Sequence, residues 1–282
     1  MRRRALLGSA AGVLSAGVAG CLTDAGSSGP ATSTDADSTE PSATEEETTS
    51  TRLGVDLSVT LERHQPNVVV MAIDSIGLRP EGYQYLFYRV DVTDGEPPAR
   101  TDFGFRYGGQ VYSPGVDTGG TLHQQEPTDR YTAGRGEGWL VFELPAGRPA
   151  EHAALALGGE EWPVSEATRE RLSTLEPSLA VDWGLTDEQP EDAARLEFSV
   201  TNEGDVDTRF VAALNGILLV GAHSPVTGFN REVPAGETVS WTHTHEETGP
   251  YVPSTKAESD SHYHLEWTQG DEDLYVTYPD AG

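Results

Sequence analysis

The chain has 282 residues, with 46 acidic against 18 basic side chains, and a formal net charge of −28. So large an acidic excess excludes nucleic-acid binding, which needs a basic surface to meet phosphates, and it excludes attraction to anionic lipid. Cys21 is the single cysteine, so no intrachain disulfide can form and stability must come from packing.

The N-terminus reads as an export signal. Arg2, Arg3 and Arg4 precede an apolar, small-residue run from Ala5 to Gly20, a positive segment followed by a hydrophobic one. That run is short and weakly apolar for a membrane span, which needs about 20 residues. The arginines followed by Leu6 and Leu7 resemble a twin-arginine signal, a route for proteins exported already folded. Val18–Cys21 (VAGC) resembles a lipobox, in which the cysteine takes a lipid and becomes the first mature residue. Residues 1–20 are therefore expected to be a signal peptide, and Cys21 a lipidation site that ties the protein to the outer face of the cell membrane. Loss of residues 1–20 removes three arginines and no acid, leaving 15 basic and 46 acidic residues and a net charge of −31.

Lys256 is the only lysine, beside 17 arginines. Acid excess with lysine depletion resembles haloarchaeal proteins. At molar salt the Debye length falls to about 3 Å, so repulsion that would otherwise strain a compact fold is screened. Most carboxylates are accordingly read as a hydrated surface.

Residues 22–52 are Ser, Thr, Asp, Glu, Gly and Pro with almost nothing to bury. The segment 21–52 is expected to be a lipidated, disordered stalk, spanning on the order of 30 Å. Its Ser/Thr content permits O-glycosylation, and no N-x-Ser/Thr sequon occurs in the chain.

From Leu53 the pattern turns to period two. Val55, Leu57, Val59 and Leu61 alternate with polar residues, as in a half-buried strand. Further strands are expected over 68–73, 83–92, 103–107, 110–112, 139–144 and 153–157, separated by turn-forming pieces such as Arg79–Gly82 and Asp94–Pro98. Residues 165–174 form the one expected helix, opened by Ser165 as a cap. Beyond it, strands are expected over 179–183, 195–201, 208–214, 217–220, 238–245, 262–268 and 274–278. The class is all-β: two immunoglobulin-like antiparallel β-sandwich domains, 53–164 and 176–282, joined by a helical connector over 165–175, behind the disordered stalk.

Two stretches carry a family resemblance. Phe198–Asp205 (FSVTNEGD) followed by Pro234–Trp241 (PAGETVSW) resembles surface sandwich domains of the CARDB type. Tyr85–Val92 (YLFYRVDV) with Gly136–Pro145 (GEGWLVFELP) resembles telokin-like immunoglobulin-fold domains of secreted lipoproteins. The resemblance implies a fold and a cell-surface setting, with no catalytic residues to carry over and no activity.

Four of the eight histidines form two His-x-His pairs, His243 with His245 and His262 with His264. On a strand, residues i and i+2 share a face, so each pair offers two imidazoles side by side, a donor set for Zn, Cu or Ni. Glu246, Glu266 and Asp260 are candidate extra or supporting ligands. The alternation opposes convergence: His243 and His245 share the core face with Val239 and Trp241, whereas Tyr263, Leu265 and Trp267 send His262 and His264 outward. Convergence would need a strand end, a bulge or a loop near 248–261. The alternative is four exposed or hydrogen-bonded strand histidines.

Asp205, Asp207 and Asp271–Asp273 fall at turns without the 12-residue calcium-loop pattern, and read as solvated acids. Tyr83, Tyr85, Phe87 and Tyr88 read as sheet-lining residues or as a binding platform. No nucleophile, phosphate-loop or metalloprotease motif occurs in the mature chain. The expected function is thus a non-catalytic, lipid-anchored surface module that binds a protein, glycan or envelope component. The alternatives are a Zn, Cu or Ni binder using the four histidines and, behind it, an enzyme or an accessory subunit of a membrane complex.

Overall fold

The computed structural model describes residues 46–50, 54–115, 121–122, 129–218, 223–246, 251–256, 259 and 261–278. Cys21, the signal peptide over 1–20 and the stalk up to residue 45 lie outside the described residues, as does Asp260. In chain order the strands are β1 (Glu46–Ser50), β2 (Asp56–Gln65), β3 (Val69–Met71), β4 (Ile76–Leu78), β5 (Tyr83–Asp94), β6 (Phe103–Tyr107), β7 (Gln110–Tyr112), β8 (Thr121–Leu122), β9 (Glu137–Pro145), β10 (Ala154–Leu157) and β11 (Glu160–Pro163). Helix α1 (Glu166–Ser173) leads to β12 (Leu179–Leu185), β13 (Ala193–Asn202), β14 (Thr208–Leu218), β15 (His223–Val233), β16 (Thr238–Glu246), β17 (Val252–Pro253), β18 (Ser261–Trp267) and β19 (Gly270–Thr277).

The all-β sandwich reading holds. The first sandwich faces sheet β1-β2-β5-β9 against sheet β11-β10-β6-β7, and the second faces β12-β13-β16 against β15-β14-β18-β19-β17. One expectation is corrected at the start: Glu46–Ser50, placed in the structureless stalk, pairs antiparallel with β2 as an edge strand. Its Thr-rich sequence suits a strand, although it has little apolar surface to announce one.

Inward-facing residues fill the first core: Leu57, Val59 and Leu61 of β2, Leu86, Tyr88 and Val90 of β5, and Phe103, Phe105 and Tyr107 of β6. The alternation of β2 breaks at Glu62, where the register against β5 slips by one residue. This bulge sends Arg63 out over the Phe87 ring, 5.3 Å from its centroid, and turns His64 into the interior. Helix α1 is too short to persist by propensity. Its start is capped, with the Thr168 N–H donating to Ser165 Oγ at 3.1 Å, and its end is pinned by buried Leu172, whose carbonyl accepts from Tyr107 Oη at 2.7 Å and Gln84 Nε2 at 3.0 Å.

The second core is organised by Phe198. Register puts Trp183, Phe198 and Trp241 side by side on β12, β13 and β16. Their rings stack, with centroids at 5.8 Å and 5.1 Å and planes within 11°.

A third layer joins the sandwiches. Strands β4, β3 and β8 form a small sheet. One side of β3 covers Tyr85, Phe87 and Val141 on the outer face of the first sandwich. The other side, through Val69 and Ile76, covers Val211 and Ala213 on the outer face of the second. Polar bonds reinforce it: Asn215 accepts the Ile76 N–H at 2.9 Å and donates to the Ile76 carbonyl at 2.8 Å, and Asn230 Nδ2 donates to Gln65 Oε1 at 2.7 Å. The described residues accordingly belong to one compact unit. Both Tyr85 and Phe87 are fully buried, which is why β5 reads as a continuous apolar run rather than an alternation. Only Tyr83 of the expected aromatic platform is exposed.

Candidate functional site

The two histidine pairs do not meet. His243 and His245 lie opposite core residues Leu196 and Ala194 of β13, inside the second sandwich. His243 meets the edge of the Phe229 ring at 5.8 Å, and His245 Nδ1 lies 3.1 Å from Tyr263 Oη. Burial lowers the pKa of both, and for His243 the neighbouring His245 adds to the effect. His262 and His264 lie on the outer face of the opposite sheet, because Tyr263 and Leu265 of β18 point into the core. The sheet itself therefore separates the pairs. The facing is the one the alternation predicts, and the four-histidine alternative lacks the bulge it would need, since neither β16 nor β18 carries one that would turn a side chain over. Among the described residues no group of three or more His, Cys, Asp or Glu is arranged to hold a metal ion.

His262 and His264 instead gain other neighbours. In register, Ile217 lies between His223 and His262, and His262 is opposite Tyr275. One row on, His264 is flanked by Asn215 and Asp273. Asp273 is therefore an exposed strand residue facing His264 rather than a turn acid. Its Oδ1 lies 2.8 Å from His264 Nδ1, and its Oδ2 accepts from Tyr275 Oη at 3.0 Å. The His262 ring sits 5.1 Å from that of Tyr275, over which Lys256 also lies, at 5.8 Å. His262 is held below its ordinary pKa, chiefly by desolvation and further by His264, His223 and Lys256, against an opposing pull from Asp273. Asp273 sits below the usual carboxylate value: burial pushes it up, but the bonds from His264 and Tyr275 outweigh that.

The supporting carboxylates separate. Glu246 is exposed at the end of β16, while Glu266 Oε2 accepts the Leu78 N–H at 3.2 Å and so ties the second sandwich to β4. Asp207 Oδ1 accepts the Ala235 N–H at 2.9 Å, a turn-holding role.

A cleft of about 320 Å³ lies between the sandwiches. Leu78, Arg79 and Glu81 wall it on the side of the first, and Glu266, Trp267, Thr268 and Asp271 on the side of the second. Arg79 reaches Glu143 at 3.6 Å. These two groups surround the Tyr85 hydroxyl, which burial and the Glu143 charge hold well above its usual pKa. Thr268 Oγ1 is buried without a hydrogen-bond partner. Sequence reasoning missed this cleft because its two walls lie about 190 residues apart, as the 188-residue separation of Leu78 and Glu266 shows, and no local pattern announces the pairing.

No protein-family model matches the chain, and no curated protein matches it. Among solved structures it is similar to a calcium binding mutant of Bacteroides uniformis beta-glucuronidase 2. The two are 12% identical, with a TM-score of 0.22 over 79% of this chain and 26% of that one. The chain thus spans about a quarter of that protein's length, and a likeness of this degree says nothing of activity. Among the described residues no helix is long and apolar enough to cross a membrane.

Proposed function

We propose that this chain is a non-catalytic recognition module of a halophile, exported, lipid-anchored at Cys21 on the extracellular side of the cell membrane, and that it binds a glycan of the cell envelope in the cleft between its sandwiches. The anchor rests on the basic and apolar run ending in VAGC and on the uniqueness of Cys21. The reading of the cleft rests on one observation: about 320 Å³ of space walled by both sandwiches, with Glu266 and Asp271 on one side and Arg79 and Glu81 on the other. Ligand sites favour such inter-domain crevices and such volumes. Carboxylates with a guanidinium across from them suit a polyhydroxylated ligand, whose O–H groups donate to the acceptors and accept from the donor. The buried polar cluster around Gln84 is engaged in structure, with His64, Tyr107 and Leu172.

Envelope glycans labelled with a fluorophore and titrated into the full protein at molar KCl test the cleft. Glu81→Gln combined with Asp271→Asn is expected to weaken binding at least tenfold while leaving the melting temperature in place. Binding indifferent to this pair would remove the cleft from the reading. For the anchor, Cys21→Ser is expected to release the protein into the medium; retention at the cell surface would refute it.

A further inference from the structure

We propose that His262 and His264 form a two-imidazole chelate for a single divalent transition-metal ion on the outer face of the second sandwich, with Asp273 as the residue that positions His264. The site is independent of the cleft and does not use His243 or His245.

The geometry supports this in two steps. First, the two histidines are separated by one residue on a regular strand, so they share a face about 7 Å apart along it, within reach of one ion between their rings. The burial of Tyr263 between them fixes that face as the outer one. Second, the carboxylate of Asp273, accepting from His264 Nδ1–H at 2.8 Å, fixes the tautomer that leaves Nε2 with its lone pair. Asp273 is itself held by Tyr275 Oη at 3.0 Å. A carboxylate behind an imidazole is the usual support of a metal-binding histidine, orienting the ring and raising its basicity.

The site is also reachable. The side chains of His264 and Asp273 retain 27% and 36% of their exposure, although β4 reaches this face at Asn215 and Glu266. Water would complete the coordination sphere. Two nitrogens with open positions favour Cu²⁺ over Ni²⁺ and Zn²⁺ by the ordinary order of divalent affinities.

The test uses the full chain carrying Cys21→Ser, so that no thiol competes, in molar KCl. Titration calorimetry with Cu²⁺, Ni²⁺ and Zn²⁺ is expected to give one ion per chain, Cu²⁺ bound tightest, and the electron paramagnetic resonance of the Cu²⁺ form should show two equivalent imidazole nitrogens. His262→Ala and His264→Ala should each weaken Cu²⁺ binding at least tenfold and abolish the two-nitrogen pattern. His262→Gln, which keeps a polar side chain, should do the same with the metal-free melting temperature unchanged. Asp273→Asn should weaken binding about tenfold while both nitrogens remain in the spectrum, a combination that a merely structural role would not give. The variant with both His243→Ala and His245→Ala should bind as the parent does. No stoichiometric binding, or binding indifferent to His262 and His264, overturns the proposal, as does loss of binding in the His243 and His245 variant.

Discussion

At the scale of single residues, His64 carries the sharpest consequence. It enters the interior only because of the bulge at Glu62, and its Nε2 lies 2.7 Å from Gln84 Oε1. Burial, and then the nearby Arg171 charge, lower its pKa to about 3 from the ordinary 6.5. The folded protein therefore binds fewer protons than the unfolded chain between those two values, and stability rises with pH across that window. The contribution is fully present above pH 6.5 and declines as the pH falls toward 3, by at most about 5 kcal/mol. The lowered values of His243, His245 and His262 act in the same direction. Glu176 acts in the opposite one: burial raises its pKa above 4.5, so its contribution is lost as the pH rises past that value. Urea midpoints measured at molar KCl should fall steeply from pH 7 to pH 4. His64→Gln should flatten that slope and lower neutral-pH stability by about 1–2 kcal/mol through the altered buried bond. An unchanged slope would mean that His64 does not carry it. None of this was legible from sequence, because a strict alternation from Leu57 onward puts Arg63, not His64, on the core face. Only the paired register reveals the slip.

At the scale of elements, the strands with clean alternation and flanking turns were legible: Phe103–Tyr107 and Gln110–Tyr112 fall where the pattern puts them, as does the helix behind Ser165. Strand β15 was not, since Pro225 and Gly228 read as breaks. Both are tolerated there because β15 is an edge strand of its sheet. The break expected between 214 and 217 is likewise absent. Asn215 and Gly216 stay within β14, where Asn215 is held by Ile76, 139 residues away. The histidine faces follow directly from alternation, whereas Asp273 as partner depended on knowing that β19 pairs with β18. The joining layer of β3 and β4 supports a prediction of its own. Ile76 is 2% exposed against Val211 and Ala213, and Ile76→Ala should cost about 2–4 kcal/mol. Asn215→Ala should cost about 2–5 kcal/mol by stranding both backbone groups of Ile76. Scanning calorimetry should show the single transition of the parent splitting into two in the double variant, one for each sandwich. A single lowered transition would mean that the sandwiches are coupled elsewhere.

At the scale of the whole molecule, the −28 charge is spread over a surface with few cations to offset it. Some ion pairs among the described residues are exposed, such as Arg106 with Glu161 and Arg135 with Asp129, and exposed pairs add little. Like-charge repulsion is then the dominant electrostatic contribution, and its range is set by the solvent. The screening length is about 3 Å in molar salt and about 10 Å at 0.1 M, a distance that spans several neighbouring carboxylates. Dilution of KCl from 3 M to 0.1 M is therefore expected to lower the melting temperature by about 4–16 °C, the shift that about 2–4 kcal/mol gives in a chain of this size. Two explanations can be separated. If salt acts by screening, NaCl and KCl at equal ionic strength behave alike, and sucrose restores little of the loss. If salt acts by strengthening apolar burial, sulfate and sucrose rescue the fold at low ionic strength. Changing a group of exposed acids, such as Glu151, Glu191 and Glu203, to the isosteric glutamine should shift the midpoint to lower salt only in the first case, because those side chains contribute charge and almost no buried surface.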